Sequence, residues 1–135
     1  MLRRVCQDET IALVRGADRE CFVEIPAVHL VPVVQALQRH HRLHHLSAIS
    51  GLVGPQGFQV LYHLWLESGL TLRVACPRQE ARLPTITGLL PAANWYEAEI
   101  HDLLGIDFVG HPDLTRLILP EGWEGPPPML EGREP

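Results

Sequence analysis

Six side chains that can hold a metal ion or move a proton are concentrated in one short stretch of the chain. They are Glu97, Glu99, His101, Asp102, His111 and Asp113. Glu97 and His101 are one helical turn apart, a spacing at which two side chains on one helix can bind the same ion. Two ligands do not complete a site, so His111 or Asp113 would have to fold back towards them. A small metal-dependent enzyme that uses Glu97, His101 and His111 is therefore one hypothesis.

The same stretch also carries the signals of an ordinary capped helix. Asn94 followed three residues later by Glu97 is a capping box, and Gly105 stands where a left-handed C-cap belongs. The pattern predicts a helix over 94–104, with Glu97 and His101 opposite its apolar face, and a loop after Gly105. That apolar face consists of Tyr96, Ile100, Leu103 and Leu104, with Trp95 at its edge and Glu99 bordering it. Residue chemistry alone favours a structural or docking surface over an active site.

A second cluster lies in the sequence RHHRLHH. Its histidines are His40, His41, His44 and His45. A helix that ran through the cluster would form two i, i+4 pairs, whereas a strand beginning near Leu43 would separate them. A solvated helix end is the expected structure, and zinc binding is the alternative. No glycine-rich phosphate loop and no nucleophile motif is found in the sequence.

Hydrophobic periodicity places strands and helices around these clusters. The sequence ECFVEIP alternates and ends at Pro26, which predicts a strand. A helix is predicted over 27–40, with Val28, Val31, Val34 and Leu37 on one face and Pro32 in its first turn or so. Alternating apolar residues and Gly-rich turns predict an antiparallel meander of strands at 43–52, 57–66 and 69–76.

These elements predict an α+β fold, in which an antiparallel sheet of three to four strands packs with two main helices. The connector 77–93 is interrupted by prolines and is expected to hold one short helical turn near 85–90. The second face of the sheet is partly apolar, because it carries Leu61, His63 and Trp65, and so needs a cover. One domain is predicted over 1–125, followed by an extended or disordered Pro/Gly-rich tail at 126–135.

Composition excludes several classes of function. The chain has 135 residues, a net charge of -5 and 46% hydrophobic residues, which fits one soluble domain without a basic surface for nucleic acid. No apolar run is long enough to span a membrane. Cys6, Cys21 and Cys76 are widely spaced, which indicates reduced thiols rather than an iron–sulfur site.

The sequence PAANWYEAEIHDLLGIDFVGHPDLTRLILPEGWEG resembles the signature region of the 30 kDa subunit family of respiratory complex I. That family includes the equivalent subunits of membrane-bound, energy-converting nickel–iron hydrogenases. The matching positions are Trp95, Tyr96, Glu97, Glu99, Asp102, Gly105, His111, Pro112, Asp113, Leu114, Arg116, Leu119, Glu124 and Gly125. FQVLYHLW, LTLRVACPR and LPTITGLLPAANWYE follow the family order upstream. Ala98 stands where the family has arginine, and PPPMLEG replaces the basic continuation usual in complex I.

The resemblance implies a non-catalytic subunit of the hydrophilic arm of a complex I-like oxidoreductase. It implies no cofactor in this chain, with iron–sulfur clusters, and a nickel–iron centre or quinone, in partner subunits. The implied partners are a large catalytic subunit and an iron–sulfur small subunit, on the cytoplasmic side of the inner membrane, which the chain contacts only through the complex. A stand-alone protein-binding domain derived from this family is a further alternative.

The family pattern assigns the signature region to partner docking rather than to catalysis. Acidic groups would meet basic groups of the partner, and aromatic side chains would supply contact area. The predicted docking residues are Trp95, Tyr96, Glu97, Glu99, Asp102, His111, Asp113, Arg116, Trp123 and Glu124.

Overall fold

The computed structural model contains a main sheet of five strands in the order β1-β2-β5-β4-β3. The structure describes residues 12–15, 21–43, 45–66 and 69–114. The strands are β1 (Ala12–Arg15), β2 (Cys21–Ile25), β3 (His45–Gly54), β4 (Gly57–Trp65) and β5 (Gly69–Cys76). The four strands predicted from alternation are confirmed, and β1 is an additional strand.

The sheet is mixed rather than strictly antiparallel. Strands β3, β4 and β5 form the predicted antiparallel meander, but β2 pairs with β5 in parallel. The two hairpins of the meander bring β5 back beside β2, after a helical crossover has led the chain from β2 to β3. The α+β class is confirmed, with β1 in addition to the predicted strands. The predicted antiparallel pairing is corrected for β2 and β5, because parallel pairing of distant strands leaves no local turn signal.

The crossover consists of a 3-10 turn, Ala27–His29, and helix α1, Leu30–His40. Pro32 lies in the first turn of α1, where its missing N–H removes no helical hydrogen bond. Val34 and Leu37 are buried as predicted. Val28 is 78% exposed, because it belongs to the 3-10 turn and does not share the α-helical periodicity.

Helix α2, Ala93–Leu104, ends as predicted but begins differently. Gly105 is left-handed, with φ of 78°, and its N–H bonds to the His101 carbonyl at 2.9 Å, which confirms the predicted C-cap. The capping box is wrong, because the N-cap position is Ala92 and no side chain caps the helix.

A second, two-stranded parallel sheet flanks α2. It is formed by β6 (Arg82–Pro84) and β7 (Asp107–Val109). The sequence after Gly105 predicts a loop, so β7 is a correction. Between β6 and α2, the N–H groups of Leu89 and Leu90 both bond to the Ile86 carbonyl, which confirms a short turn near 85–90.

Both helices lie against the face of the main sheet that carries Val60, Tyr62 and Val74, and all of these join one buried core. Helix α2 packs on β3, where Ile100 and Leu104 approach Gly51. The opposite sheet face stays open among the described residues. Leu61, His63 and Trp65 lie on it, and Trp65 is 51% exposed.

Cys76 is buried and Cys21 is half-buried, and both are free thiols. In the part of the chain that the structure describes, no helix is long and apolar enough to cross a membrane. Cys6, the domain boundary at 125 and the tail at 126–135 lie outside the described residues.

Candidate docking surface around helix α2

Glu97 is fully buried, with 0% of its surface exposed. Its carboxylate accepts hydrogen bonds from the Thr85 hydroxyl, at 3.0 Å to Oε2, and from the Ile86 N–H, at 3.2 Å. Strand β6 ends at Pro84, so the two donor residues, Thr85 and Ile86, follow it directly and lie beside the helix. Glu97, one of the predicted docking residues, is therefore not at the surface of the chain, and its acceptors are used inside the protein.

Burial dominates the electrostatics of this carboxyl group. Removal from water raises the pKa of Glu97, while the hydrogen bonds from Thr85 and Ile86 and the nearby His111 act in the opposite direction. Burial also raises the pKa of Tyr62 well above its ordinary value, and the charges of Glu97 and Cys76 add to this effect. The Tyr62 hydroxyl has no hydrogen-bond partner among the described residues.

Asp102, another predicted docking residue, is only 3% exposed and so is also not at the surface of the chain. Ala98 is buried too, β7 contacts the helix, and Ile106 and Phe108 are buried. Helix α2 therefore has buried residues around most of its circumference.

Two histidines close the loops at the two ends of α2. The Nδ1–H of His101 donates to the Ile106 carbonyl at 2.8 Å. The Nδ1 of His111 accepts the Asp113 N–H at 2.9 Å, which leaves Nε2–H to donate to the Asn94 carbonyl at 3.1 Å. The His101 imidazole thus bonds to the segment that follows the helix. The His111 imidazole joins its own loop to the first turn of the helix.

The hypothesis of a metal site formed by Glu97, His101 and His111 does not fit these positions. Each of the three side chains is committed to a different backbone or hydroxyl partner. Among the described residues, no group of three or more His, Cys, Asp or Glu side chains is placed to hold a metal ion. In the second cluster, α1 ends at His40 and β3 begins at His45, so no continuous helix pairs these histidines; His44 lies outside the described residues.

The outer surface of α2 carries the predicted docking residues that remain accessible. Trp95 is 61% exposed, Glu99 is half-buried and Asp113 is exposed. Tyr96 is half-buried, and its hydroxyl donates to the Ser47 carbonyl at 3.0 Å. Arg116, Trp123 and Glu124 lie outside the described residues.

An open groove of about 610 Å³ adjoins the start of α2. Its lining includes Val31, Leu89, Pro91, Asn94 and Pro112. The groove is largely apolar and is bordered by the loop that His111 fastens to the helix. We refer to this groove together with Trp95, Tyr96, Glu99 and Asp113 as the α2 surface.

Sequence reasoning missed Thr85 and Tyr62, which surround the buried carboxylate. Thr85 follows a strand of three residues, and nothing in its local pattern marks it as a donor to a residue on the next helix. Sequence reasoning also missed a row of polar side chains on the open sheet face. There, the His63 ring lies 3.2 Å from both the Ser50 and the Thr71 hydroxyls, a contact that follows only from the strand register.

The fold and the site define a two-layer α+β domain with a mixed sheet and a signature helix whose central acid is buried and whose tryptophan is exposed. The model of the family described as the 30 kDa subunit of respiratory-chain NADH dehydrogenase matches residues 23–131. The chain belongs to this family, as the resemblance predicted.

Curated relatives are much longer than this chain. The chain is 45% identical over 80 residues to the C/D subunit of NADH-quinone oxidoreductase from Pseudomonas fluorescens (strain SBW25), covering 57% of this chain and 14% of that protein. It is 53% identical over 73 residues to the C/D subunit from Ectopseudomonas mendocina (strain ymp), covering 52% of this chain and 12% of that protein. The chain thus matches a small part of each relative.

Solved structures share the fold. The trypsin-resistant fragment of Nqo5 superposes with a TM-score of 0.71 at 30% identity, covering 84% of this chain and 98% of the fragment. A chain of the membrane-bound sulfane sulfur reductase, an archaeal respiratory membrane complex, superposes with a TM-score of 0.74 at 20% identity. That superposition covers 94% of this chain and 75% of the other, and it shows the fold alone.

Proposed function

We propose that this chain is a non-catalytic subunit in the hydrophilic arm of a complex I-like oxidoreductase, where it holds a large catalytic subunit and an iron–sulfur small subunit in place. The observation that carries the proposal is the 61% exposure of Trp95 on the family's signature helix. A tryptophan at the surface supplies more apolar contact area than any other side chain, and such residues dominate protein interfaces.

The rigid support behind Trp95 strengthens this proposal. Glu97 ties the helix to the residues after β6, and His111 ties its first turn to the following loop. A side chain on a fixed helix loses little entropy when a partner covers it. The α2 surface is therefore suited to a pre-formed contact with an apolar centre and a polar rim.

Charge at the rim indicates the chemistry of the partner. Glu99, one helical turn after Trp95, is half-buried and Asp113 is exposed, and the whole chain has a net charge of -5. A partner surface with an apolar pocket for Trp95 and basic side chains around it would complement both features. Electron-transfer centres, whether iron–sulfur clusters, nickel–iron or quinone, belong to the partner subunits in this proposal. The chain reaches the cytoplasmic side of the membrane only through those partners.

The test compares Trp95→Ala with Trp65→Ala in the tagged chain purified gently from its native host. Both substitutions remove a half-exposed indole, and Trp65 lies at the end of β4 on the open sheet face. We expect Trp95→Ala to lower the recovery of a hydrogenase-like large subunit and an iron–sulfur small subunit by tenfold or more, as for a typical interface hot spot of about 2 kcal/mol. Trp65→Ala should leave that recovery unchanged.

Mass spectrometry of the wild-type preparation decides the proposal itself. Recovery of both subunits with the wild-type chain supports it, and their identities choose between quinone and hydrogen chemistry. Recovery of the wild-type chain without either subunit contradicts the proposal. Full recovery with Trp95→Ala contradicts docking through the α2 surface.

A further inference from the structure

Strand β3 lies at one edge of the main sheet among the described residues. From Ala48 to Gly54 its sequence is AISGLVG, which contains no charged residue and no proline. Edge strands of soluble proteins usually carry charges, prolines or bulges, since unpaired N–H and C=O groups otherwise recruit another strand. This part of the edge lacks such protection.

The first part of the same strand is protected. The register between β3 and β4 shifts between Leu46 and Ala48, which places an irregularity at Ser47. The Tyr96 hydroxyl donates to the Ser47 carbonyl at 3.0 Å and so occupies one backbone acceptor. Among the described residues, the edge is therefore closed at Ser47 and carries no paired strand beyond it.

The open segment is held firmly from the helix side. Gly51 lacks a side chain, and Ile100 and Leu104 of α2 pack closely above it. On the other face, Leu52 is 47% exposed. An added strand would meet the backbone N–H and C=O groups of a segment that α2 holds in position, with the apolar side chain of Leu52 beside them.

We propose that Ala48–Gly54 receives an extended segment of a partner subunit, which adds a sixth strand to the sheet. Backbone hydrogen bonds would provide the affinity, and an uncharged segment with an apolar residue beside Leu52 would match the edge. The inference rests on the proposed function, because the strand would come from a subunit that also covers the α2 surface. Tyr96 contacts β3 from that surface, so the two contacts are continuous.

A second copy of this chain fits the edge less well. Stable specific interfaces bury about 1,200–2,000 Å², and pairing of two such short edges supplies much less. A strand that belongs to a partner already docked through Trp95 needs little further area, since its local concentration is high.

The decisive measurement is amide hydrogen exchange in the isolated full chain and in the complex purified through it. We expect those amides of Ala48–Gly54 that do not already bond to β4 to exchange at least about tenfold more slowly in the complex. The central strand β5, Gly69–Cys76, serves as the internal control, because both of its edges are already paired. An assembled complex without added protection of Ala48–Gly54 overturns this inference and leaves the proposed function intact. Failure to recover any complex overturns both.

A matched pair of variants separates the edge from the open sheet face. Leu52 pairs with Gln59 of β4, so Leu52→Lys places a charge at the edge and Gln59→Lys places it one strand further in. We expect Leu52→Lys to lower co-purification of the partner about tenfold and Gln59→Lys to leave it unchanged. Equal losses would show that the partner covers the sheet face instead. A dimer of the isolated chain that Leu52→Lys dissociates would identify a second copy as the occupant.

Discussion

The hydroxyl of Thr85 donates to the buried carboxylate of Glu97, which joins the segment after β6 to helix α2. The Ile86 N–H adds a second donor to the same carboxylate. A buried acid is costly unless its acceptors are satisfied. The glutamate at the centre of the signature helix is therefore a structural anchor that fixes the α2 surface, rather than a part of that surface.

Thr85→Val removes the hydroxyl donor and keeps the shape of the side chain. Because a buried carboxylate then loses a charge-assisted hydrogen bond, we expect the free energy of unfolding to fall by about 2 kcal/mol. Urea denaturation at neutral pH measures this change. Thr85→Ser keeps the donor and should cost less than about 1 kcal/mol; a loss for Thr85→Val that is no larger than the loss for Thr85→Ser would contradict the stabilising role of the hydroxyl donor.

The raised pKa of Glu97 makes stability depend on pH. Glu97 holds its proton more tightly in the folded chain than in the unfolded chain, where the ordinary value is 4.5. Between 4.5 and the raised pKa, the folded state binds more protons, so the free energy of unfolding decreases as pH rises. The stabilising contribution is complete below the unfolded pKa and is lost as pH rises through the folded pKa.

Glu97→Gln isolates this contribution, because a glutamine of nearly the same size does not titrate. We expect the wild-type free energy of unfolding, minus that of Glu97→Gln, to decrease as pH rises above 4.5. Urea denaturation of both proteins across this range gives the difference at each pH. A difference that stays flat or rises with pH would contradict the raised pKa.

Local signals predicted the elements whose causes are local. Gly105 marks the end of α2 because its left-handed conformation is cheap only for glycine, and alternating residues mark β4 because one face is buried. The capping box failed for the opposite reason. Glu97 found its donors at Thr85 and Ile86, and the position of these groups depends on the path of the connector, which a helical wheel does not contain.

The pairing between distant strands could not be predicted from the sequence either. Strand β2 and strand β5 are separated by α1 and two hairpins, so no local turn signals their parallel register. The family pattern identified the signature residues, but it could not tell which side chains are exposed. Trp95 and Glu97 both match the pattern, yet one is 61% exposed and the other is fully buried.

Gly51 allows α2 to lie close to β3. A Cβ at this position would collide with Cδ1 of Leu104 and lie 3.5 Å from Cγ2 of Ile100. We expect Gly51→Ala to lower the free energy of unfolding by about 1–3 kcal/mol, because the buried leucine must shift in a packed core. Thermal or urea denaturation of the purified chain measures the loss.

Two controls distinguish a collision with Leu104 from a general effect of replacing glycine by alanine. Gly88 has no atom within 4 Å of an added Cβ, so Gly88→Ala should change stability by less than about 0.5 kcal/mol. Leu104→Ala alone creates a cavity. In the double variant Gly51→Ala with Leu104→Ala, the methyl group added at position 51 fills part of that cavity. The double variant should therefore lose less than the sum of the two single losses, by about 1 kcal/mol or more; simple additivity would exclude the proposed collision.

His101 and His111 should have opposite neutral tautomers. His101 donates from Nδ1 to the Ile106 carbonyl, so its Nε2 is the unprotonated nitrogen. His111 accepts the Asp113 N–H at Nδ1, so its proton lies on Nε2. Long-range ¹⁵N–¹H correlation spectra of the neutral imidazoles distinguish the two forms, because protonated and unprotonated ring nitrogens have separate shifts. His101→Asn and His111→Asn assign the signals, and the same tautomer for both rings would contradict the loop closures that hold the two ends of α2.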